Sequence, residues 1–196
     1  LLFLLFSFSL NEDGTGFGAS GDFKATYGFI FALRDNFLAN PTEWTLVHTP
    51  LHFIILSFVS RIVDEPNILR LLFCFFSKIL PFIFLRILEV NFNEKINNNL
   101  LILSSCIFFI PSFRYTSIWA NDLITSLIFF SFSIFFFKKW ENAKGVNLDR
   151  NILFQTLFLV LATYTRQYFA IFFIYFLYQY IITINLKEFF KLFGLC

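Results

Sequence analysis

Methionine is absent from the 196 residues of the chain, and charged residues make up only 14% of them. Because a translated protein starts at methionine and this chain begins LLFLLFSFSL, we expect it to be an N-terminal fragment of a longer protein. Soluble domains average roughly 25% charged residues. The scarcity of charge therefore argues against a soluble globular protein.

Cysteine and net charge are also low, and both exclude classes of function. The three cysteines are widely spaced, show no metal-ligand motif and are expected to be buried structural thiols (Cys74, Cys106 and Cys196). The net charge of +2 gives no reason to expect a nucleic-acid partner.

Hydrophobic residues are abundant, at 58% of the chain with 34 phenylalanines, which is more than a soluble core of this size can bury. Without water in a bilayer, backbone groups must pair within each apolar run, so we expect helices. The sequence therefore predicts an all-α fold, a polytopic transmembrane bundle forming one domain over 1–196. Its transmembrane region, 46–184, divides into apolar segments at about 46–63, 67–90, 99–112, 122–137 and 152–184.

The first polar region, residues 11–45, is predicted to lie outside the membrane. After a glycine-rich start, the apolar residues Phe23, Tyr27, Ile30 and Phe31 recur at helical spacing. This pattern predicts an amphipathic helix lying at the membrane interface. An ordinary amphipathic loop helix is an equally good interpretation of the same spacing.

The basic residues raise a question of orientation. Lys138, Lys139, Lys144 and Arg150 cluster in one loop, which the positive-inside rule places in the cytoplasm. Simple alternation of spans from an outside first loop would place that loop outside. We therefore expect segment 99–112, which is short and ends at Pro111, to be re-entrant.

The polar residues at the mouths of the apolar segments are the candidates for chemistry. Asp22 could act as a general base, bind a divalent metal, or cap the helix that follows it. In the string HTPLHF, His48 and His52 are four residues apart and would share a helix face. No HExxH zinc pattern forms, and the preferred interpretation is two interfacial histidines that form hydrogen bonds or contact an anionic ligand.

Two further stretches carry charge beside apolar runs. FRYTSIWAND contains Arg114 and ends at Asp122, which either caps the next helix or joins Asp22 in a two-carboxylate site. TYTRQYF places Arg166 deep within the last apolar segment, where charged residues usually face a polar cavity. Arg166 could hold a phosphate; alternatively, the helix breaks at 163–168 and the side chain snorkels.

These strings together resemble the GT-C class of integral-membrane glycosyltransferases, which includes protein O-mannosyltransferases, aminoarabinose transferases of lipid A and dolichol-linked sugar transferases. An acidic first loop and HTPLHF opening a span carry the resemblance, along with PSFRYTSIWAND and LATYTRQYFAIFF. The resemblance implies that Asp22 is the catalytic carboxylate and that Asp122 helps to bind a metal. Glu12 and Asp13 are the alternative first-loop acids. The residues implied to bind substrate are His48, His52, Arg114, Arg166 and Gln167.

The implied activity is transfer of a sugar from a polyprenyl-phosphate donor to a hydroxyl of a glycan, lipid or protein, with inversion. The implied location is a bacterial inner (plasma) membrane, with the active site on the outer face. No cofactor is required by the pattern, although Mg²⁺ or Mn²⁺ is an option. A transporter or flippase of an anionic or lipid-linked substrate is the alternative, because intramembrane Arg and His also mark substrate paths. A structural membrane subunit is a third hypothesis, and it predicts that Asp22, Asp122 and Arg166 lie apart.

Overall fold

The computed structural model describes residues 2–13, 18–35, 50–143 and 148–183, and the predicted all-α class is confirmed for this part of the chain, which contains no strand. The described residues form ten α-helices, with 3₁₀ turns at Cys106–Phe109 and Gln167–Ala170. The helices are α1 Leu2–Ser9, α2 Ala19–Asp35, α3 Leu51–Ser60, α4 Pro66–Phe76, α5 Ile79–Phe92, α6 Asn98–Ser105, α7 Pro111–Ile118, α8 Asp122–Asn142, α9 Leu148–Thr163 and α10 Ile171–Thr183.

Two helical stretches in the described part of the chain are long and apolar enough to cross a membrane. One is the 27-residue run Pro66–Phe92, formed by α4 and α5, and the other is the 21-residue α8. A third candidate exists if α6 and α7, which meet at a bend of 67°, are counted as one broken span. Bilayer cores require about 20 helical residues.

The helices α4, α5 and α8 run side by side and define two ends of the molecule. At one end, the Arg70 side chain of α4 donates a hydrogen bond of 2.9 Å to the carbonyl of Ile118, just before α8. At the other end, the Asn142 side chain donates a hydrogen bond of 2.8 Å to the carbonyl of Val90 in α5. We call these the Trp119 end and the Asn142 end.

The contacts favour α3, and not segment 99–112, as the apolar segment that fails to connect the two ends. Five residues separate α5 from the α6–α7 stretch, which finishes at Ile118 and so returns the chain to the Trp119 end. In contrast, α3 has only 10 residues. His52, near the start of α3, contacts the Ala120 carbonyl at the Trp119 end. Arg70, in the next helix, contacts the Ile118 carbonyl at the same end.

The last apolar segment, expected as one run over 152–184, is two helices that reverse direction at residues 164–166. Contacts between α8 and α9 follow an antiparallel order, with Phe129 against Phe158 and Phe136 against Phe154. Contacts between α8 and α10 follow a parallel order, Phe130 with Phe172, Phe137 with Phe176 and Trp140 with Tyr180. Arg166 therefore lies in a hairpin turn at the Trp119 end, and not in the middle of a span.

The predicted amphipathic helix is present as α2, and its apolar side packs on protein. Phe23, Ile30 and Leu33 are buried, and the ring centroid of Phe29 is 6.1 Å from that of Phe53 in α3. The apolar side predicted to enter the membrane interface thus contributes to the main core.

Candidate functional site

Residues 118–122, which we call the IWAND turn, link α7 to α8 and collect polar contacts from five other parts of the chain. Asn121 is the N-cap of α8, and its side-chain oxygen accepts a hydrogen bond of 3.0 Å from the backbone N–H of Leu123. The capping role considered for Asp122 is therefore performed by its neighbour. This leaves the Asp122 carboxylate available for a different partner.

That partner is Arg166 in the α9–α10 turn. Arg166 Nη2 lies 2.5 Å from Asp122 Oδ1 and 3.4 Å from Asn121 Oδ1. The Asp122 side chain is only 5% exposed and that of Arg166 is 20% exposed. A carboxylate buried to this degree needs a paired cation, because an isolated charge in a low-dielectric interior is strongly unfavourable.

Asn121 also connects this ion pair to Asp22. Its Nδ2 group lies 3.4 Å from Asp22 Oδ2, so one amide contacts both the guanidinium and the second carboxylate. Asp22 is exposed and lies in the first turn of α2, where the helix dipole favours a negative charge, but it is not the N-cap. The structure thus brings Asp22, Asp122 and Arg166 together, contrary to the expectation for a purely structural subunit.

His52, in α3, also contacts the IWAND turn. It is 1% exposed, and its Nε2 and Nδ1 atoms lie 2.8 Å from the Ala120 carbonyl and from Thr125 Oγ1, respectively. A carbonyl only accepts, so Nε2 carries the proton and Nδ1 of a neutral ring accepts from the Thr125 hydroxyl. Ala120 has a φ of 48°, a left-handed conformation that is unfavourable for alanine and is held here by its surroundings.

The two histidines proposed to contact substrate therefore have different outcomes. In this structure both ring nitrogens of His52 are engaged with protein groups. His48 lies outside the described residues. Gln167, which starts the 3₁₀ turn after Arg166, is exposed at the Trp119 end.

Arg70 is a major contact of the turn that we did not predict. Its buried guanidinium lies over the Trp119 ring at 3.4 Å, donates to the Ile118 carbonyl, and donates to the side chains of Asn67 and Asn11 at 3.2 and 3.1 Å. The signal that could have revealed it is the one used for Arg166, a lone arginine in an apolar run (NILRLLFCFF).

Arg114 forms a second ion pair at this end, with Glu12 after α1. Its Nε and Nη2 atoms donate to the two carboxylate oxygens at 3.2 and 2.8 Å. The hydrogen bond from Arg114 holds the pKa of Glu12 below its ordinary value. The Glu12 carbonyl also accepts a hydrogen bond of 2.7 Å from Trp119 Nε1, so Glu12 attaches α1 to the IWAND turn.

The described residues contain no group of three or more His, Cys, Asp and Glu side chains that could hold a metal ion. Asp22 and Asp122 remain the pair suggested for that role, but the nearest charge to Asp122 is already a guanidinium. A divalent cation at this point would compete with Arg166 for the same carboxylate.

Comparisons with known protein families, with curated proteins and with solved structures give no match to this chain. Any functional argument therefore depends on the arrangement itself. That arrangement consists of an exposed carboxylate, a buried carboxylate–guanidinium pair and a bridging amide at one end of two apolar helices.

Proposed function

We propose that the chain is part of a membrane glycosyltransferase, which transfers a sugar from a polyprenyl-phosphate donor to an acceptor hydroxyl. The observation that supports this proposal is the chain of contacts from Asp22 through Asn121 to Asp122 and Arg166. It places a potential base beside groups that can orient a polar head, next to an apolar surface that suits a lipid tail.

The surface for the tail is α10, which follows Arg166 directly. Along this helix large apolar and aromatic side chains are exposed, and they include Ile171 (68%), Ile174 (68%), Tyr178 (59%) and Ile182 (59%). A lipid chain lying along α10 would place its phosphate and sugar at the Trp119 end. Lipid-linked donors need this combination of a long apolar contact and a polar head site.

One cluster of basic residues supports an outward orientation of this site. Lys138 and Lys139 lie in the last turns of α8 and Arg150 lies near the start of α9, at the Asn142 end, whereas the arginines of the Trp119 end are bound to protein groups (Arg70, Arg114 and Arg166). The positive-inside rule then places the Asn142 end in the cytoplasm and the Trp119 end outside. We propose a bacterial plasma membrane, with transfer on its outer face.

In the proposed reaction, Asp22 accepts the proton of the acceptor hydroxyl. The hydroxyl oxygen attacks the anomeric carbon of the donor from the side opposite to the phosphate. The bond between this carbon and the phosphate oxygen breaks, and the electron pair leaves with the lipid phosphate. Arg166 helps to offset the negative charge that develops there, and each turnover inverts the anomeric configuration.

No step of this scheme requires a metal. A lipid phosphate is already a stabilised anion, and Asp122 is paired with Arg166. Among the described side chains, Asp22 and Asp122 are not part of a group of three or more possible metal ligands, so Mg²⁺ or Mn²⁺ at this point would also need water or substrate phosphate oxygens.

The proposal is tested by Asp22→Asn in the full-length protein, with Asp35→Asn as the matched control. Both residues are exposed carboxylates of α2, but Asp35 is at the opposite end of the helix, about 20 Å away. We expect Asp22→Asn to reduce sugar transfer by roughly a hundredfold or more, the usual contribution of a general base, and Asp35→Asn to leave it unchanged.

Transfer of radiolabelled sugar from a panel of polyprenyl-phosphate sugars is measured in membrane vesicles. Wild-type transfer by the Asp22→Asn protein would remove Asp22 from the mechanism. Movement of the intact lipid-linked sugar across proteoliposomes without its consumption would instead support a flippase.

A further inference from the structure

The two arginine–carboxylate pairs beside the IWAND turn differ in the number of hydrogen bonds between their partners. Glu12 and Arg114 form a closed fork, in which both Nε and Nη2 donate to the two oxygens of the carboxylate. Asp122 and Arg166 make only the contact between Oδ1 and Nη2. In this second pair, Asp122 Oδ2 and Arg166 Nε are buried and have no hydrogen-bond partner among the described residues.

The unpaired atoms of this open fork are complementary. Nε and Nη2 lie on one edge of the planar guanidinium, so the free donor is adjacent to the nitrogen that already contacts Asp122. The free acceptor is the second oxygen of that same carboxylate. The open fork therefore offers one N–H donor and one oxygen acceptor from two side chains that are in direct contact.

We infer that the open fork of Asp122 and Arg166 binds a hydroxyl group of a sugar substrate, an inference that rests on the proposed function. A hydroxyl accepts from Arg166 Nε through its oxygen and donates its proton to Asp122 Oδ2, so both free atoms become paired. An ionised phosphate oxygen has no proton to donate, so it would leave Asp122 Oδ2 unpaired; in the proposed reaction Arg166 acts on the phosphate through its charge and not through this fork. An ammonium group cannot accept from the guanidinium.

The position of the open fork also suits a sugar. Asn121 connects Arg166 to Asp22, the proposed base, so a hydroxyl held by the fork lies close to the reacting groups. The hydroxyl could belong to the donor sugar or to the acceptor sugar, because both must be present near Asp22 during transfer. The chemistry recognised is the same, and substrate analogues distinguish the two sources.

The test uses equilibrium binding, which does not require turnover. Citronellyl-phosphate hexoses serve as donor probes and octyl hexosides as acceptor probes, each with its set of monodeoxy analogues, on the purified full-length protein in detergent. We expect one deoxy analogue in one of the two sets to bind about tenfold to a hundredfold more weakly than its parent, as for loss of a hydrogen bond to a charged group.

Variants then assign that hydroxyl to the fork. In Asp122→Asn and in Arg166→Lys, the parent and that deoxy analogue should bind with nearly equal affinity, because one half of the fork is lost in each. Arg34→Lys, which alters an arginine–carboxylate pair with Asp35 at the far end of α2, should preserve the full discrimination. The wild-type scan of analogues remains informative even if one of the variants does not fold.

The outcomes separate this inference from the proposed reaction. If the protein transfers sugar but no deoxy analogue shows weaker binding that depends on Asp122 and Arg166, the inference alone is overturned. A water molecule that completes the fork would give this result. Hydroxyl-selective binding without transfer overturns the proposed reaction alone. Absence of both overturns both.

Discussion

Substitution of Arg70 provides a direct test of how the IWAND turn is held. The buried guanidinium donates to the Ile118 carbonyl and to the side chains of Asn67 and Asn11, and it lies over the Trp119 ring. The usual conservative change, Arg70→Lys, keeps a positive charge at this position. We expect it to destabilise the protein more than Arg70→Met, which removes the charge.

The magnitude follows from the contacts. A lysine ammonium cannot reach three acceptors around a planar fork, and loss of two hydrogen bonds from a charged group costs about 3 kcal/mol. The burial cost of the charge remains. Methionine loses all three hydrogen bonds and leaves the Ile118 carbonyl without its donor, but it removes that burial cost and keeps an apolar contact with Trp119. We expect a net loss of about 1–2 kcal/mol for Arg70→Met.

Thermal unfolding of the detergent-purified protein measures the difference. For a chain of this size, about 3 kcal/mol corresponds to a decrease in Tm of about 6–12 °C for Arg70→Lys. Arg61→Lys is the control, because Arg61 is exposed between α3 and α4 and should change Tm very little. A Tm of Arg70→Lys equal to the wild type, or higher than that of Arg70→Met, would refute this account of the turn.

Two other predictions concern the Trp119 end. The lowered pKa of Glu12 means that its pair with Arg114 stabilises the folded state fully above the ordinary value of 4.5 and loses this contribution as pH falls through the lower folded value. The pair is partly exposed, so acid should remove about 0.5–1 kcal/mol, and Glu12→Gln should flatten that part of the pH–stability profile; an unchanged profile would contradict the assignment. For orientation, Gly28→Cys, where an added side chain meets no atom within 4 Å, should react with an impermeant maleimide from outside, and Lys95→Cys only from inside. Labelling of both from one side would contradict the two-ended arrangement.

The residue pattern predicted the helical class, and it placed Asp22 and Asp122 at segment mouths, because charged groups are unfavourable among lipid tails and collect where the chain leaves them. It placed Arg166 within an apolar segment and not at a turn. It did not predict which residues hold the cluster together. Asn121 is the N-cap of α8, and His52 binds the backbone carbonyl of Ala120, which has a left-handed conformation. Such contacts depend on the backbone conformation of residues that are distant in the sequence, and hydrophobic periodicity gives no information about it.

The position of Arg166 shows why segment length can mislead. Residues 152–184 form an apolar run long enough for one tilted span, and on that interpretation Arg166 lies near its centre. The contacts divide the run into α9 and α10, which turn back at Arg166. A turn there leaves backbone N–H and C=O groups without helical partners, so it is favourable only near water or polar side chains. The same condition makes an arginine favourable at that point.

The backbone groups of the IWAND turn also need polar partners. Its carbonyls at Ile118 and Ala120 are buried and accept from Arg70 and His52, so side chains replace the water that a surface turn would use. A turn that served only to reverse the chain could be exposed, with no need for buried polar partners. Fixing it with a buried guanidinium and an imidazole instead holds Asn121 and Asp122 in one orientation. That rigidity is what a site must have if its carboxylate–guanidinium pair is to distinguish one hydroxyl of a sugar from the next.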